Sequence, residues 1–193
     1  METGVYFGLT TGRSVTTDIC NITGMFEPGS FDESYTWALS DNTKIPPHIT
    51  LLNRTRVDCS IGIDYVQDVV DSIGMAVPKR TILRLTPMID PLTLELFAKP
   101  LPHTLEMEIL VGMTNILTLK FKTRSVVNPN PHIKIARLRS GRQFDFTRIN
   151  NTLRAFPIHF TPTLVYANLV GNDYYRYKAV FSISRYHQNQ GNS

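Results

Sequence analysis

The chain is short of cysteine, of charge and of long apolar runs, and each shortage removes a class of protein. Its two cysteines, Cys20 and Cys59, have no Cys-x-x-Cys spacing. A disulfide framework and a thiolate zinc site are therefore excluded, and both residues read as reduced, packed thiols. The carboxylates are scattered and neither His-x-x-x-His nor His-Glu-x-x-His occurs, so no metal and no cofactor is expected. No apolar run approaches the ~18 residues of a membrane span. The opening METGVYFGLTTGRSV lacks the basic and continuous apolar regions of a signal peptide. A soluble, intracellular protein with no membrane partner is the expectation.

What is present fits one ordinary domain. A length of 193 residues with 42% hydrophobic and 19% charged residues can bury a core; one domain is expected over 1–185, followed by a polar tail at 186–193. The net charge is +4, and it is unevenly spread. Acids dominate residues 1–75. Over 120–154, Lys120, Lys122, Arg124, Lys134, Arg137, Arg139, Arg142, Arg148 and Arg154 face only Asp145, a segment that attracts phosphate if folding gathers it on one surface.

Hydrophobic periodicity places the elements. GVYFGLTTG (4–12) reads as a strand and SVTTDICNITGMF as a short helix, followed by a Pro- and Gly-punctuated loop over 27–47. His48–Asn53 reads as a strand entered from two prolines. Val66, Val69, Val70 and Ile73 have the spacing of one helix face over 64–77, with Asp64 as its cap. Thr81–Met88 and Thr93–Ala98 read as strands. A helix follows Pro102, His132–Leu138 is a strand after NPNP, and Asp145–Phe156 is a second amphipathic helix. Ile158–Asn168 and Tyr174–Ser184 close the chain as a hairpin. The two halves share this order, and Pro47-His48-Ile49-Thr50-Leu51 matches Pro131-His132-Ile133-Lys134-Ile135 in position and in letters. Strands alternating with helices and closing in hairpins argue for an α+β fold.

In a strand, residues two apart share a face, so His48 projects with Thr50 and His132 with Lys134. Each pair sets a proton-transfer group beside a phosphate-binding group. Two imidazoles across a cleft can serve one phosphodiester as base and acid without a metal.

With these paired motifs the chain resembles the two-histidine (2H) phosphoesterase superfamily, whose mark is a His-x-Thr/Ser-x motif on equivalent strands of a two-lobed fold. The resemblance covers roughly residues 4–185, from GVYFGL to the closing hairpin. It implies a pseudo-twofold α+β fold with antiparallel sheets around a central cleft, in lobes of about 1–100 and 101–185 that can exchange strands. It further implies a monomeric, metal-independent phosphodiesterase with His48 and His132 as acid and base and with Thr50 and Lys134 on the phosphate oxygens. The substrates implied are RNA ends with a 2′,3′-cyclic phosphate, 2′,5′-linked oligonucleotides or cyclic nucleotides. Viral and phage antagonists of host defence in this superfamily cleave the last two, and a viral member works in the host cytoplasm.

One departure matters. Lys134 stands where the superfamily has Thr or Ser, and it replaces a hydroxyl donor by a flexible point charge. A catalytically weak module that sequesters a nucleotide or RNA is therefore the alternative, and a structural protein that meets RNA only through its basic segment is a third reading. His159-Phe160-Thr161 keeps the His-x-Thr letters and is the rival second motif, although Pro162 follows it. Arg137, five residues beyond His132, reads as an outer phosphate contact or a surface charge. Bases stack on aromatic rings, which makes Trp37, in the loop before the first motif, and Tyr166 candidates for substrate binding. His103 and His187 read as structural.

Overall fold

In the computed structural model of the chain, residues 3–10, 13–35, 47–57, 63–78, 81–121, 128, 130–170 and 177–182 are described. They form β1 (Thr3–Thr10), α1 (Arg13–Thr23), β2 (His48–Val57), α2 (Ile63–Ala76), β3 (Leu83–Ile89) and β4 (Glu95–Lys99). Then follow α3 (Leu105–Phe121), β5 (Ile133–Arg137), α4 (Phe146–Leu153), β6 (Ile158–Phe160), β7 (Thr163–Val170) and β8 (Tyr177–Ser182). Trp37, Tyr174, Tyr175, Cys59 and His187 lie outside the described residues.

The helices follow their apolar stripes. Val66, Val69, Val70 and Ile73 of α2 all enter the core, as do Leu110, Met113, Leu117 and Phe121 of α3. The Asp145 carboxylate caps α4 by accepting the Arg148 N–H at 3.0 Å, which satisfies one of the orphan donors of the first turn. Among the described residues, no helix is long and apolar enough to cross a membrane.

Every strand pairs antiparallel with its neighbours, in the order β6-β3-β4-β5-β2-β1-β7-β8. The two histidine strands, β2 and β5, thus meet at the middle of the sheet. Either side of that seam draws on both halves of the chain: β5 and β6 join β3 and β4, while β7 and β8 join β1 and β2. One face of the sheet carries Phe7, Leu9, Ile49, Leu85, Leu96, Ala98 and Ile133 into the core beneath the helices. The other face carries the histidine motifs, with the Tyr6 and Phe97 rings against them.

The run 158–168, expected as one strand, is two. β6 ends at Phe160 and β7 begins at Thr163. The break falls at Thr161-Pro162, since Pro162 has no N–H for a ladder. It lets β6 pair with β3 and β7 with β1 at separate places in the sheet.

Candidate active site

The site is built on the seam. Ile49 of β2 pairs with Ile133 of β5, and antiparallel pairing about that point sets His48 opposite Lys134 and Thr50 opposite His132. Ile49 and Ile133 are both fully buried, so these four residues stand together on the opposite face. Directly opposed Cβ atoms in such a pair lie about 4.5–5.5 Å apart and diagonal ones about 7–8 Å. The two histidines occupy one diagonal, and the Thr50 hydroxyl and the Lys134 ammonium the other. A local twofold axis through the Ile49–Ile133 pair exchanges the motifs.

The symmetry extends into the backbone. Phe7 pairs with Leu52 but Gly8 with Thr50, which leaves Leu51 as an extra residue in β2. Leu96 pairs with Ala136 but Phe97 with Lys134, which leaves Ile135 as an extra residue in β5. Each motif is therefore followed by a bulge at its histidine plus three, and at both bulges two consecutive residues, Leu51 with Leu52 and Ile135 with Ala136, are buried. A bulge shifts the alternation of faces by one residue. In a regular strand Arg137 would point away from His132. Because of the bulge it pairs instead with Glu95, on the face that carries Phe97 and Lys134. Its Nε donates to the Thr93 carbonyl at 3.1 Å.

His132 is half-buried, and its Nδ1 lies 2.6 Å from the Asn130 carbonyl oxygen. A carbonyl can only accept, so Nδ1 carries the proton. In the neutral ring Nε2 is then the acceptor. The turn that makes this bond is tied to the other motif: Asn128 donates its backbone N–H to the Leu51 carbonyl at 2.9 Å and its side-chain amide to the Thr50 carbonyl at 2.9 Å. Its Oδ1 accepts the Asn130 N–H at 3.0 Å. The Phe97 ring meets His132 edge to face at 5.4 Å between centroids, and Lys99 Nζ lies 5.7 Å from the Phe97 centroid.

His48, also half-buried, has the Tyr6 ring beside it at 6.1 Å and 77°. Tyr6 is fully buried, and its ring lies over Gly8, where a Cβ would come within 2.6 Å of Cζ. Lys134 is exposed, with Nζ 3.7 Å from Glu95 Oε1. At the far end of β5, Asp32 N–H donates to the Arg137 carbonyl and Arg139 N–H to the Ser30 carbonyl, both at 2.8 Å. Residues 30–32 therefore run beside Arg137 and Arg139. The Ser34 hydroxyl and N–H hold the Asp32 carboxyl below its usual range, with smaller help from Arg139 and Arg137.

The fold thus brings His48, Thr50, His132, Lys134 and Arg137 to one face. Tyr166 lies in β7 at the register position of Phe7, with β1 between it and the first motif. His159 lies in β6 opposite Arg84, and β3, β4 and β5 separate it from β2; Thr161 is exposed just beyond it. Sequence reasoning missed Asn128, Phe97, Tyr6 and Glu95. Only Asn128 carried a usable signal, because Asn-Pro-Asn-Pro directly before a histidine strand is a turn whose asparagines can bond backbone. Among the described residues, no three His, Cys, Asp or Glu side chains are grouped to hold a metal ion.

No family model and no curated protein matches the chain. Solved structures do. Apo E. coli LigT superimposes with a TM-score of 0.54 at 13% identity, covering 94% of this chain and 97% of LigT. E. coli LigT complexed with 3′-AMP gives 0.53 at 12% identity over 94% and 98%. The crystal structure of a phosphoesterase gives 0.50 at 11% over 93% and 99%. The chain has the fold of these structures over nearly its whole length.

Proposed function

We propose that the chain is a metal-independent phosphodiesterase of the two-histidine type. The observation that carries this reading is the Ile49–Ile133 pairing, which sets both histidines on diagonal corners of one small square with two phosphate-binding groups on the others. His132, with Nδ1–H held by the Asn130 carbonyl, presents Nε2 as the base that takes the proton from a ribose hydroxyl or water. His48, protonated, gives its proton to the departing ribose oxygen. Thr50 and Lys134 hold the non-bridging oxygens as negative charge grows on them. The substrate is a 2′,5′-linked or cyclic oligonucleotide, of the kind that carries defence signals, ahead of an RNA end with a 2′,3′-cyclic phosphate. The LigT complex with 3′-AMP supports the nucleotide class. The protein acts as a monomer in the cytoplasm.

The test is incubation with chelator of wild type, His48→Ala and His132→Ala with 2′,5′-oligoadenylate, cyclic di- and trinucleotides, and RNA ending in 2′,3′-cyclic phosphate. Cleavage of one of these by wild type, lost in both variants, is expected. Turnover that survives both substitutions refutes the mechanism. The Lys134–Glu95 ion pair favours a second reading, a sequestering module in which the ammonium no longer serves chemistry. Tight binding without turnover, and turnover gained by Lys134→Thr, would establish that reading instead.

A further inference from the structure

The face that carries the histidines continues past them. Pairing of Ala98 with Ile133 sets His132 beside Lys99 in the next register position, and Lys99 pairs with Thr86 of β3. Thr50, His132, Lys99 and Thr86 therefore form a row across four adjacent strands. Neighbouring strands are about 4.8 Å apart, so Thr86 stands roughly 10 Å from His132. Arg84 alternates with Leu83 and Leu85, both fully buried, which puts Arg84 on the same outer face as Thr86.

At that end of the row lies a cavity of about 540 Å³ whose walls include Arg84, Thr86, Thr104, Glu106 and Arg154. Arg84 comes from β3, Arg154 from the residue that closes α4, and Glu106 from the first turn of α3. Two guanidiniums and one carboxylate thus share its walls. Among the described residues, neither the Arg84 nor the Arg154 guanidinium has an ion-pair or hydrogen-bond partner, although both backbones are bonded within the fold. A guanidinium binds phosphate oxygens through a planar fork of donors, and two of them beside a lysine on the path from the histidines make a positive hollow displaced from the reacting position.

We infer that Arg84 and Arg154 form a second phosphate subsite, reached from His132 along Lys99 and Thr86. The inference rests on the nucleotide-cleaving reading of the seam and narrows it: the ligand is an oligonucleotide with at least one phosphate beyond the one that reacts. A mononucleotide fills the seam and leaves the cavity empty.

The experiment is equilibrium binding at fixed salt in the His48→Ala background, with 3′-AMP and with 2′,5′- and 3′,5′-linked triadenylate as probes. At least one triadenylate is expected to bind about 10-fold tighter than 3′-AMP or more, the scale of charge-assisted contacts. Arg84→Gln with Arg154→Gln removes that gain, flattens the salt dependence of triadenylate binding and leaves 3′-AMP affinity and melting temperature unchanged. Equal affinity for the probes, or a gain that survives the double substitution, overturns the subsite. Loss of the gain in the double variant, with no turnover of any substrate by the parent protein, keeps the subsite and refutes the phosphodiesterase reading. Histidine-dependent turnover with no length gain does the reverse.

Discussion

Gly8 offers the sharpest test of the packing beneath the first histidine. The Tyr6 ring folds back over Gly8, and an added Cβ would sit 2.6 Å from Tyr6 Cζ and 2.8 Å from Cε1. Both distances are far inside van der Waals contact. Tyr6 is fully buried, so the ring has no solvent into which to swing. Gly8→Ala must move the ring or the backbone of β1, and overpacking of this kind costs about 1–3 kcal/mol. For a chain of this size each kcal/mol lowers the melting temperature by about 2–4 °C. Tyr6→Leu alone leaves a void and costs about 2–4 kcal/mol. In the double variant the new methyl occupies space that the ring has vacated, so the two costs fall short of their sum by about 1 kcal/mol or more. Urea denaturation of the four proteins measures the coupling. The His48 ring signals in a proton–carbon NMR spectrum report whether its aromatic neighbour has moved. If Gly8→Ala stays within about 0.5 kcal/mol of wild type, or if the two changes add, the Tyr6–Gly8 contact is wrong, and with it the account of how His48 is oriented.

Three further outcomes follow from named contacts. Asn128→Ala removes the bond to the Thr50 carbonyl and the acceptor for Asn130 N–H, at about 0.5–1.5 kcal/mol each; thermal melting detects the loss, and the His132 ring NMR signals shift because its own acceptor, the Asn130 carbonyl, is no longer held. Asp32 has a depressed folded pKa owed first to Ser34, so whatever stability it adds is present above its unfolded pKa and lost as pH falls through the lower folded value. Ser34→Ala moves that titration upward, as read by carboxyl carbon shifts between wild type and variant. His103 is exposed at a φ of 61°, a backbone conformation that costs a residue with a Cβ about 1–2 kcal/mol; His103→Gly, which relieves it at some entropic cost, raises the melting temperature, and a fall would show that the imidazole makes a contact worth more than the strain.

The sequence by itself determined the strand and helix order, save that β6 and β7 read as one run, and placed both histidine motifs on equivalent strands. Alternation and helical spacing are local properties of burial, and a duplicated Pro-His-Ile-x-x run is visible in the letters alone. The stripe of Val66, Val69, Val70 and Ile73 went into the core as its spacing required. What the tertiary structure decided was everything that depends on which strand lies beside which. The Ile49–Ile133 pairing joins residues from opposite halves of the chain, and only that pairing puts His48 and His132 on one diagonal. Arg137 reaches their face through an extra residue at Ile135, and a bulge is defined against a partner strand. Phe97, Glu95 and Lys99 have no local pattern that marks them; they become neighbours of the second motif because β4 pairs with β5. The same reason separates His159 from His48: Pro162 breaks the ladder, and β6 finds its partner at the other end of the sheet. Chemistry-bearing letters are local, whereas the distances between them belong to register, which hydrogen bonding across strands sets and no single segment contains.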